Sequence, residues 1–159
     1  MRRIVRRMTS PLIRLAELGI ELPAVPAPVA AYVPAVRTGS LVYTSGQVPF
    51  VDGRLIASGK VGDAVSPGQA VELARTCALN CLAAVDDLVG LDSVVRLVKV
   101  LGFVASTPDF TGQPAVVNGA SELLGQVFGE AGAHVRSAVG VAVLPLDASV
   151  EVELIVEVV

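Results

Sequence analysis

Histidine and tryptophan are nearly missing from this chain of 159 residues: it has one histidine, His134, no tryptophan, and aromatic residues make up 4% of it. A single histidine cannot supply the acid and base pair that many metal-free nucleases use. With only two cysteines in the sequence, a zinc site would have to combine thiols with carboxylates, so we expect no metal. Cys77 and Cys81 are spaced like neighbours on one helix face, which holds their Cβ atoms about 5–6 Å apart, too far for a relaxed disulfide. They are predicted to be small core residues, and reduced thiols fit a cytoplasmic protein.

Long apolar runs are also absent, although 53% of the residues are hydrophobic and the mean hydropathy is +0.68. No uninterrupted run approaches the ~20 residues of a membrane-spanning helix, and Pro26, Pro28 and Pro34 interrupt the longest candidate, residues 24–36. This pattern predicts a soluble protein without a membrane partner. The surplus of apolar surface favours a large buried interface between subunits.

Positive charge is scarce, since the net charge is −3. The dense basic run is confined to the start of the chain, at Arg2, Arg3, Arg6 and Arg7. This distribution argues against a nucleic-acid partner. No apolar segment follows the arginines, so they do not begin a secretory signal, and we expect a flexible tail or a start codon placed too early.

The length suits one domain, with residues 1–29 as a partly flexible lead-in and residues 30–159 as the domain. Turn and helix-start signals divide the chain into elements. The turns are predicted at residues 37–40 and at Asp52-Gly53, and a helix is predicted to begin at Ser66-Pro67 and to end at Gly90. The predicted helices are Ile13 to Leu18, Pro67 to Val89 and Pro114 to Phe128, and the predicted strands are Ala31 to Val36, Leu41 to Thr44, Val94 to Val104, Arg136 to Leu144 and Val150 to Val158.

The strand patterns predict how the sheet is covered. In the strand from Arg136, Ser137 and Val139 begin a bulky face and Ala138 and Gly140 a bare one, and we expect the bulky face to meet the helices. The last strand alternates valines with Glu151, Glu153 and Glu157. The strand from Val94 is apolar on both faces, which requires cover on both sides. These patterns predict an α+β sandwich with helices on one sheet face and neighbouring copies on the other.

Arg136 and Glu151 are the candidate catalytic residues. The Arg136 guanidinium has room beside Ala138 and Gly140 to hold a carboxylate, or it forms a structural ion pair with a carboxylate such as Glu157. Glu151 can orient or deprotonate a water, or it belongs to a solvated face. If the last two strands form a hairpin, Arg136 and Glu151 lie roughly 25 Å apart and can act together only from different subunits.

Three other residues are weaker candidates. Ser45 precedes Gly46 at a turn and can line a pocket, but it lacks the surroundings of a nucleophilic serine. Tyr32 either presents its hydroxyl to a ligand or packs at the edge of the core. His134 either lies at the site or ends the loop before its strand.

The chain resembles the RidA/YjgF family of reactive intermediate deaminases over residues 30–159. The resemblance is carried by Tyr32, the segment Tyr43-Thr44-Ser45-Gly46-Gln47-Val48-Pro49, Arg136-Ser137, Leu144-Pro145 and Glu151. It implies a chorismate-mutase-like sandwich with a mixed sheet, a homotrimer, and sites in the clefts between subunits. It also implies hydrolysis of amino-acid-derived enamines and imines to 2-oxo acids and ammonia without a cofactor or metal.

The resemblance further implies roles for single residues. Arg136 and the backbone N–H of Ala138 would bind the substrate carboxylate, Glu151 would position water, and the pocket would be lined by Tyr32, Ser45, Gly46 and Asn118. Two features depart from the family: Ala138 replaces a cysteine that many active members have, and residues 110–135 form a longer stretch. Alternative functions are a carboxylate-binding regulatory trimer without turnover, a ribonuclease, and a structural or chaperone-like role.

Overall fold

The computed structural model describes residues 9–25 and 31–159, and these residues form three α-helices and seven strands. The helices are α1 (Pro11–Glu17), α2 (Pro67–Val89) and α3 (Gln113–Phe128), and the strands are β1 (Ala35–Thr38), β2 (Leu41–Thr44), β3 (Phe50–Val51), β4 (Arg54–Leu55), β5 (Val94–Ala105), β6 (Val135–Val141) and β7 (Val150–Val158). The basic run at residues 2–7 and Pro26 and Pro28 lie outside the described residues. None of the helices in the described ranges is long and apolar enough to cross a membrane.

The two long helices begin and end close to where the sequence predicts. The Ser66 hydroxyl accepts a hydrogen bond from the Gln69 N–H at 3.2 Å, and the Gln69 side chain accepts one from the Ser66 N–H at 3.0 Å. This capping box satisfies two free N–H groups at the start of α2, and Pro67 follows where no N–H is needed. Gly90 ends the helix with a φ of 79°, which favours glycine.

Helix α1 packs against the end of α3. Its Leu15 side chain is buried, and Arg14 Nε donates a hydrogen bond to the Gln126 carbonyl at 2.9 Å. The Ser10 hydroxyl before the helix donates to Asp92 at 2.6 Å. The sequence predicts this helix correctly, although the predicted range is Ile13 to Leu18 and the helix spans Pro11–Glu17.

The first hairpin differs slightly from the prediction. Residues 31–34 precede the strand, and β1 continues to Thr38, so the turn is confined to Gly39 and Ser40. Pro34 has no N–H to offer a neighbouring strand, which explains the later start. The second predicted turn is confirmed, since Asp52 and Gly53 join β3 to β4 with φ values of 50° and 74°.

The main sheet is mixed, with the strand order β1-β2-β7-β5-β6. β6 runs parallel to β5 and is an edge strand, whereas β7 lies between β2 and β5 and is antiparallel to both. The expected hairpin of the last two strands is therefore wrong. The helix α3 connects β5 to β6, and such a crossover returns the chain parallel to the strand it left.

The helices α2 and α3 cover one face of this sheet, as predicted. On β7 the residues Val150, Val152, Leu154, Val156 and Val158 are buried beneath them. We call the other side the open face; it carries Glu151, Glu153, Ile155 and Glu157 of β7. In a single chain β5 is covered only on its helix side, because Val95 and Arg96 are exposed and Leu101 and Phe103 are partly exposed on the other side.

The prediction that the bulky side of β6 meets the helices is wrong. Arg136, Ala138 and Gly140 lie on the helix side, and Val139, on the open face, is 42% exposed. The helix α3 lies close to β6 at this point: a Cβ on Gly140 would lie 2.7 Å from the Gln113 side-chain nitrogen, so the bare residues leave room for the helix. β6 ends at Val141 and not at Leu144.

The two cysteines are free and fully buried, which confirms them as core residues. The Cys81 thiol donates to the Val152 carbonyl at 3.1 Å, and the Cys77 thiol to the Val150 carbonyl at 3.6 Å. Burial raises the pKa of Cys81 to about 12. Both thiols thus attach α2 to β7 in their protonated form.

Candidate active site

Arg136 extends from β6 against one face of α3. Its Nη1 donates hydrogen bonds to Asn118 Oδ1 at 2.8 Å and to Ser121 Oγ at 3.2 Å, and its Nη2 donates to the Pro114 carbonyl at 3.3 Å. The three acceptors lie four and three residues apart, so they share one side of the helix. All three are neutral, and the guanidinium is oriented without being neutralised.

The alternative that Arg136 forms a structural ion pair with Glu157 is wrong. Glu157 lies on the open face of β7, opposite Arg96 of β5, whereas Arg136 lies on the helix side of β6. Arg14 and Glu17, 2.9 Å apart, form the one ion pair of residues 9–25 and 31–159. In that part of the chain Arg136 Nε also has no hydrogen-bond partner, which leaves an edge of the guanidinium for a ligand.

Ala138 and Asn118 flank this arginine. Ala138 follows Arg136 on the helix side of β6, and Asn118 contacts the guanidinium directly. Because β6 is an edge strand, alternate backbone N–H groups have no strand partner there. We call Arg136, Asn118 and Ala138 the arginine half of the candidate site.

Glu151 lies on the open face of β7 against the turn that follows β2. A Cβ on Gly46 would overlap the Glu151 carboxylate, so the absence of a side chain at residue 46 makes the contact possible. The turn is held by two backbone hydrogen bonds between Gln47 and Val152, of 2.8 and 3.0 Å. Backbone pairing therefore fixes Gly46 beside the carboxylate.

The environment of Glu151 changes its acidity. The side chain is partly buried, and burial, with a smaller contribution from the neighbouring charge of Glu153, raises the pKa of Glu151 above its ordinary value of 4.5. A carboxylate with a raised pKa is a better proton acceptor. This environment suits a group that takes a proton from water.

Ser45 and Tyr32 lie near Gly46. The Ser45 hydroxyl donates to the Val33 carbonyl at 2.6 Å, and the Ser45 N–H donates to the Pro34 carbonyl at 2.8 Å. Ser45 thus connects the chain before β1 to the turn. Tyr32, which is 46% exposed, directly precedes Val33 in this connection. We call Glu151, Gly46, Ser45 and Tyr32 the glutamate half of the candidate site.

The two halves do not meet in one chain. Arg136 pairs with Val100 and Glu151 pairs with Phe103, so the two residues are offset by three positions along β5. Because β6 and β7 lie on either side of β5, they are also two strand spacings apart, and their backbone positions are about 14 Å from each other. They also face opposite sides of the sheet. The predicted 25 Å is wrong because its hairpin register is wrong, but the conclusion that one chain cannot unite the two residues is correct.

His134 and Ser121 extend the arginine half. His134 Nε2 lies 2.9 Å from Ser121 Oγ, and His134 Nδ1 lies 2.6 Å from the Gly132 carbonyl. Sequence analysis left the position of His134 open and did not single out Ser121 or Pro114. The spacing of Pro114, Asn118 and Ser121 along one helix face was the signal that could have found them.

The fold is that of an α+β protein with a mixed sheet and helices on one face. Residues 12–158 match the model of a family described as "YjgF/chorismate mutase-like, putative endoribonuclease". The chain belongs to the YjgF family, which confirms the resemblance. Protein TCP17 of Trypanosoma cruzi is 45% identical over 145 residues, which are 90% of this chain and 91% of TCP17.

Solved structures share the fold. The crystal structure of Atu1372 from Agrobacterium tumefaciens, described as a protein of unknown function, has a TM-score of 0.87 and 45% identity, covering 94% of this chain and 93% of that one. A crystal structure of E. coli TdcF with bound serine has a TM-score of 0.58 and 32% identity, covering 86% and 94%. These likenesses confirm the predicted α+β fold with a mixed sheet and helices.

Proposed function

We propose that this protein hydrolyses enamines and imines derived from amino acids to 2-oxo acids and ammonia. The observation that carries the proposal is the Arg136 guanidinium, which three neutral acceptors orient and no carboxylate of the described residues neutralises. Such a group suits the carboxylate that these substrates share. The serine bound to TdcF, an amino acid with the same carboxylate, supports this ligand class.

The proposed site lies in a cleft between subunits of a homotrimer. The arginine half would come from one subunit and the glutamate half from its neighbour, because the two face opposite sides of one sheet. The open face favours association: Val36, Tyr43, Val95 and Val139 are each at least 39% exposed there or at its edge. The number three comes from the family resemblance. The reducing, cytoplasmic location expected from the free thiols is part of this proposal.

The proposed reaction uses water as its one co-reactant. Arg136 binds the carboxylate, and Glu151 accepts a proton from water as the water oxygen bonds to the imine carbon. The electron pair of the carbon–nitrogen double bond moves to nitrogen, which takes up the proton that Glu151 accepted. The hydroxyl proton then passes through Glu151 to nitrogen as the carbon–nitrogen bond breaks, so ammonia leaves and the 2-oxo acid forms. Orientation of water and substrate supplies much of the rate increase.

The test is the release of ammonia and 2-oxo acid from imines generated in place by an amino acid oxidase. Arg136→Ala should lower kcat/KM about 10- to 100-fold, the effect of losing a charge-assisted hydrogen bond. Arg54→Ala is the matched control, since Arg54 is exposed on the hairpin of β3 and β4. Equal rates for wild type and Arg136→Ala, both of the same oligomeric state, would contradict the proposal.

A second candidate function is a regulatory trimer that binds a small carboxylate without turnover. Ala138 favours it, since a cysteine stands there in many active members, and an alanine side chain has no reactive group. This function uses the same Arg136 and predicts saturable binding of a 2-oxo acid. Binding that Arg136→Ala abolishes, with no acceleration of any imine, would support it.

The ribonuclease alternative is weaker. The family description includes the word endoribonuclease, but the single histidine of this chain is held between Ser121 and the Gly132 carbonyl. The net charge of −3 also disfavours a phosphate backbone. A chaperone-like role would depend on apolar surface and would be unaffected by Arg136→Ala.

A further inference from the structure

A chain of hydrogen bonds runs from Arg136 through Ser121 and His134 to the Gly132 carbonyl. Its three contacts measure 3.2 Å from Arg136 Nη1 to Ser121 Oγ, 2.9 Å from Ser121 Oγ to His134 Nε2, and 2.6 Å from His134 Nδ1 to the Gly132 oxygen. It joins α3, the loop after it and β6. The proposed reaction gives His134 no role, and it uses Ser121 only as an acceptor for Arg136.

The two ends determine the direction of the two outer hydrogen bonds, and the tautomer of neutral His134 determines the middle one. A guanidinium can only donate, and a carbonyl can only accept. Ser121 Oγ therefore accepts from Arg136, and His134 Nδ1 carries the proton that is donated to Gly132. In neutral His134 the Nε2 atom is then an acceptor, and it takes the Ser121 hydroxyl proton. One tautomer of His134 satisfies all three contacts.

The directions of these hydrogen bonds determine how firmly the Arg136 guanidinium is held. Asn118 and Ser121 take both protons of Arg136 Nη1, which fixes the plane of the guanidinium and the direction of its free Nε edge. If His134 no longer accepts from Ser121, the hydroxyl is free to rotate and to offer its proton toward Arg136. An arginine that must be ordered at binding loses affinity for its ligand.

We infer that His134 is a positioning residue, which holds Ser121 as an acceptor and thereby fixes Arg136 for carboxylate binding. The inference rests on the proposed function for its ligand class. It assigns His134 no contact with substrate and no role in proton transfer. It also makes Ser121 the link through which the effect of His134 reaches the arginine.

The test measures pyruvate binding by calorimetry in the full chain. Ser121→Ala and His134→Leu should each weaken binding about fivefold, less than the loss of a direct charged hydrogen bond. The double variant should be no weaker than either single one, because both act through one path. His134→Gln, whose amide oxygen can accept from Ser121, should restore affinity to within about twofold. Ser58→Ala, at an exposed serine, is the matched control and should bind like wild type.

Nitrogen NMR provides a readout that a merely structural role would not change. His134 of the wild type should be protonated at Nδ1 and not at Nε2, and rotation of the Arg136 Nη1 group should be faster in Ser121→Ala. Unchanged affinity in both single variants, additive losses in the double variant, or a proton on Nε2 would overturn the inference. Ser121→Ala, which removes only a hydroxyl, keeps the test available if His134→Leu does not fold.

The outcomes also separate this inference from the proposed hydrolysis. A wild type that binds pyruvate without hydrolysing imines would refute the hydrolysis, and the weaker binding of the variants would still support the role of His134. A wild type that binds no pyruvate would overturn the inference itself.

Discussion

At the residue scale, the partly buried Glu151 makes the stability of the fold depend on pH. Its raised pKa means that the folded chain favours the protonated form more than the unfolded chain does. This contribution to stability is fully present below the ordinary value of 4.5 and is lost as the pH rises through the raised pKa. Above the raised pKa, the charged carboxylate of Glu151 opposes folding. The pH window of the effect lies between 4.5 and the raised pKa.

Glu151→Gln should remove this dependence. The free energy of unfolding of the variant, minus that of wild type, should rise with pH from about 4.5 and then level off above the raised pKa. Urea denaturation across the window measures the difference. A difference that is flat, or that falls with pH, would show that burial does not raise the pKa of Glu151.

Single residues also show where sequence reasoning succeeds. Ser66 and Gly90 mark the ends of α2 because capping depends on atoms within a few residues. Ser121 could not be assigned in the same way: its role depends on which face of α3 meets Arg136, and that depends on how the helix packs. Arg136 and Glu157 have opposite charges, but they lie on opposite faces of the sheet and therefore do not form the ion pair that was considered.

At the element scale, strand alternation predicts which face of β7 is buried but not which strand lies beside it. Val150 to Val158 alternate as expected, because side chains of a strand point to opposite faces. The short connection from β6 to β7 suggested a hairpin, yet β5 lies between them. Strand order depends on contacts between distant parts of the chain, which local patterns do not encode.

The open face gives a prediction at this scale. Val139 lies on it at the edge strand β6, 42% exposed and outside the core of the single chain. Val139→Glu should leave the subunit folded but should split the oligomer and abolish imine hydrolysis, because burying an unpaired charge in an interface is costly. Sedimentation analysis and circular dichroism measure the two effects.

The control for that variant is Leu88→Glu, which places the same charge at a residue that is 45% exposed on α2. It should remain an oligomer with full activity, since α2 lies on the opposite side of the sheet. An oligomeric and fully active Val139→Glu protein would contradict the assignment of the open face to the interface.

At the scale of the whole molecule, the proposed site is built by two subunits. The motif residues of both halves could be predicted from the sequence through the family resemblance. Their separation within one chain was expected, but its distance could not be predicted, because the distance depends on the strand order and on which face each strand presents. The position of β7 inside the sheet and of β6 at its edge places the two halves about 14 Å apart on opposite faces.

Subunit complementation tests this claim most directly. Arg136→Ala and Glu151→Gln proteins, whose low activities are first measured separately, are unfolded, mixed in equal amounts and refolded together, and imine hydrolysis is measured. In a ring that assembles at random, about a quarter of the clefts combine an intact Arg136 with an intact Glu151. If two subunits build the site, hydrolysis should return to about a quarter of the wild-type rate. A mixture no more active than the average of the two separate variants would show that no cleft combines the two halves.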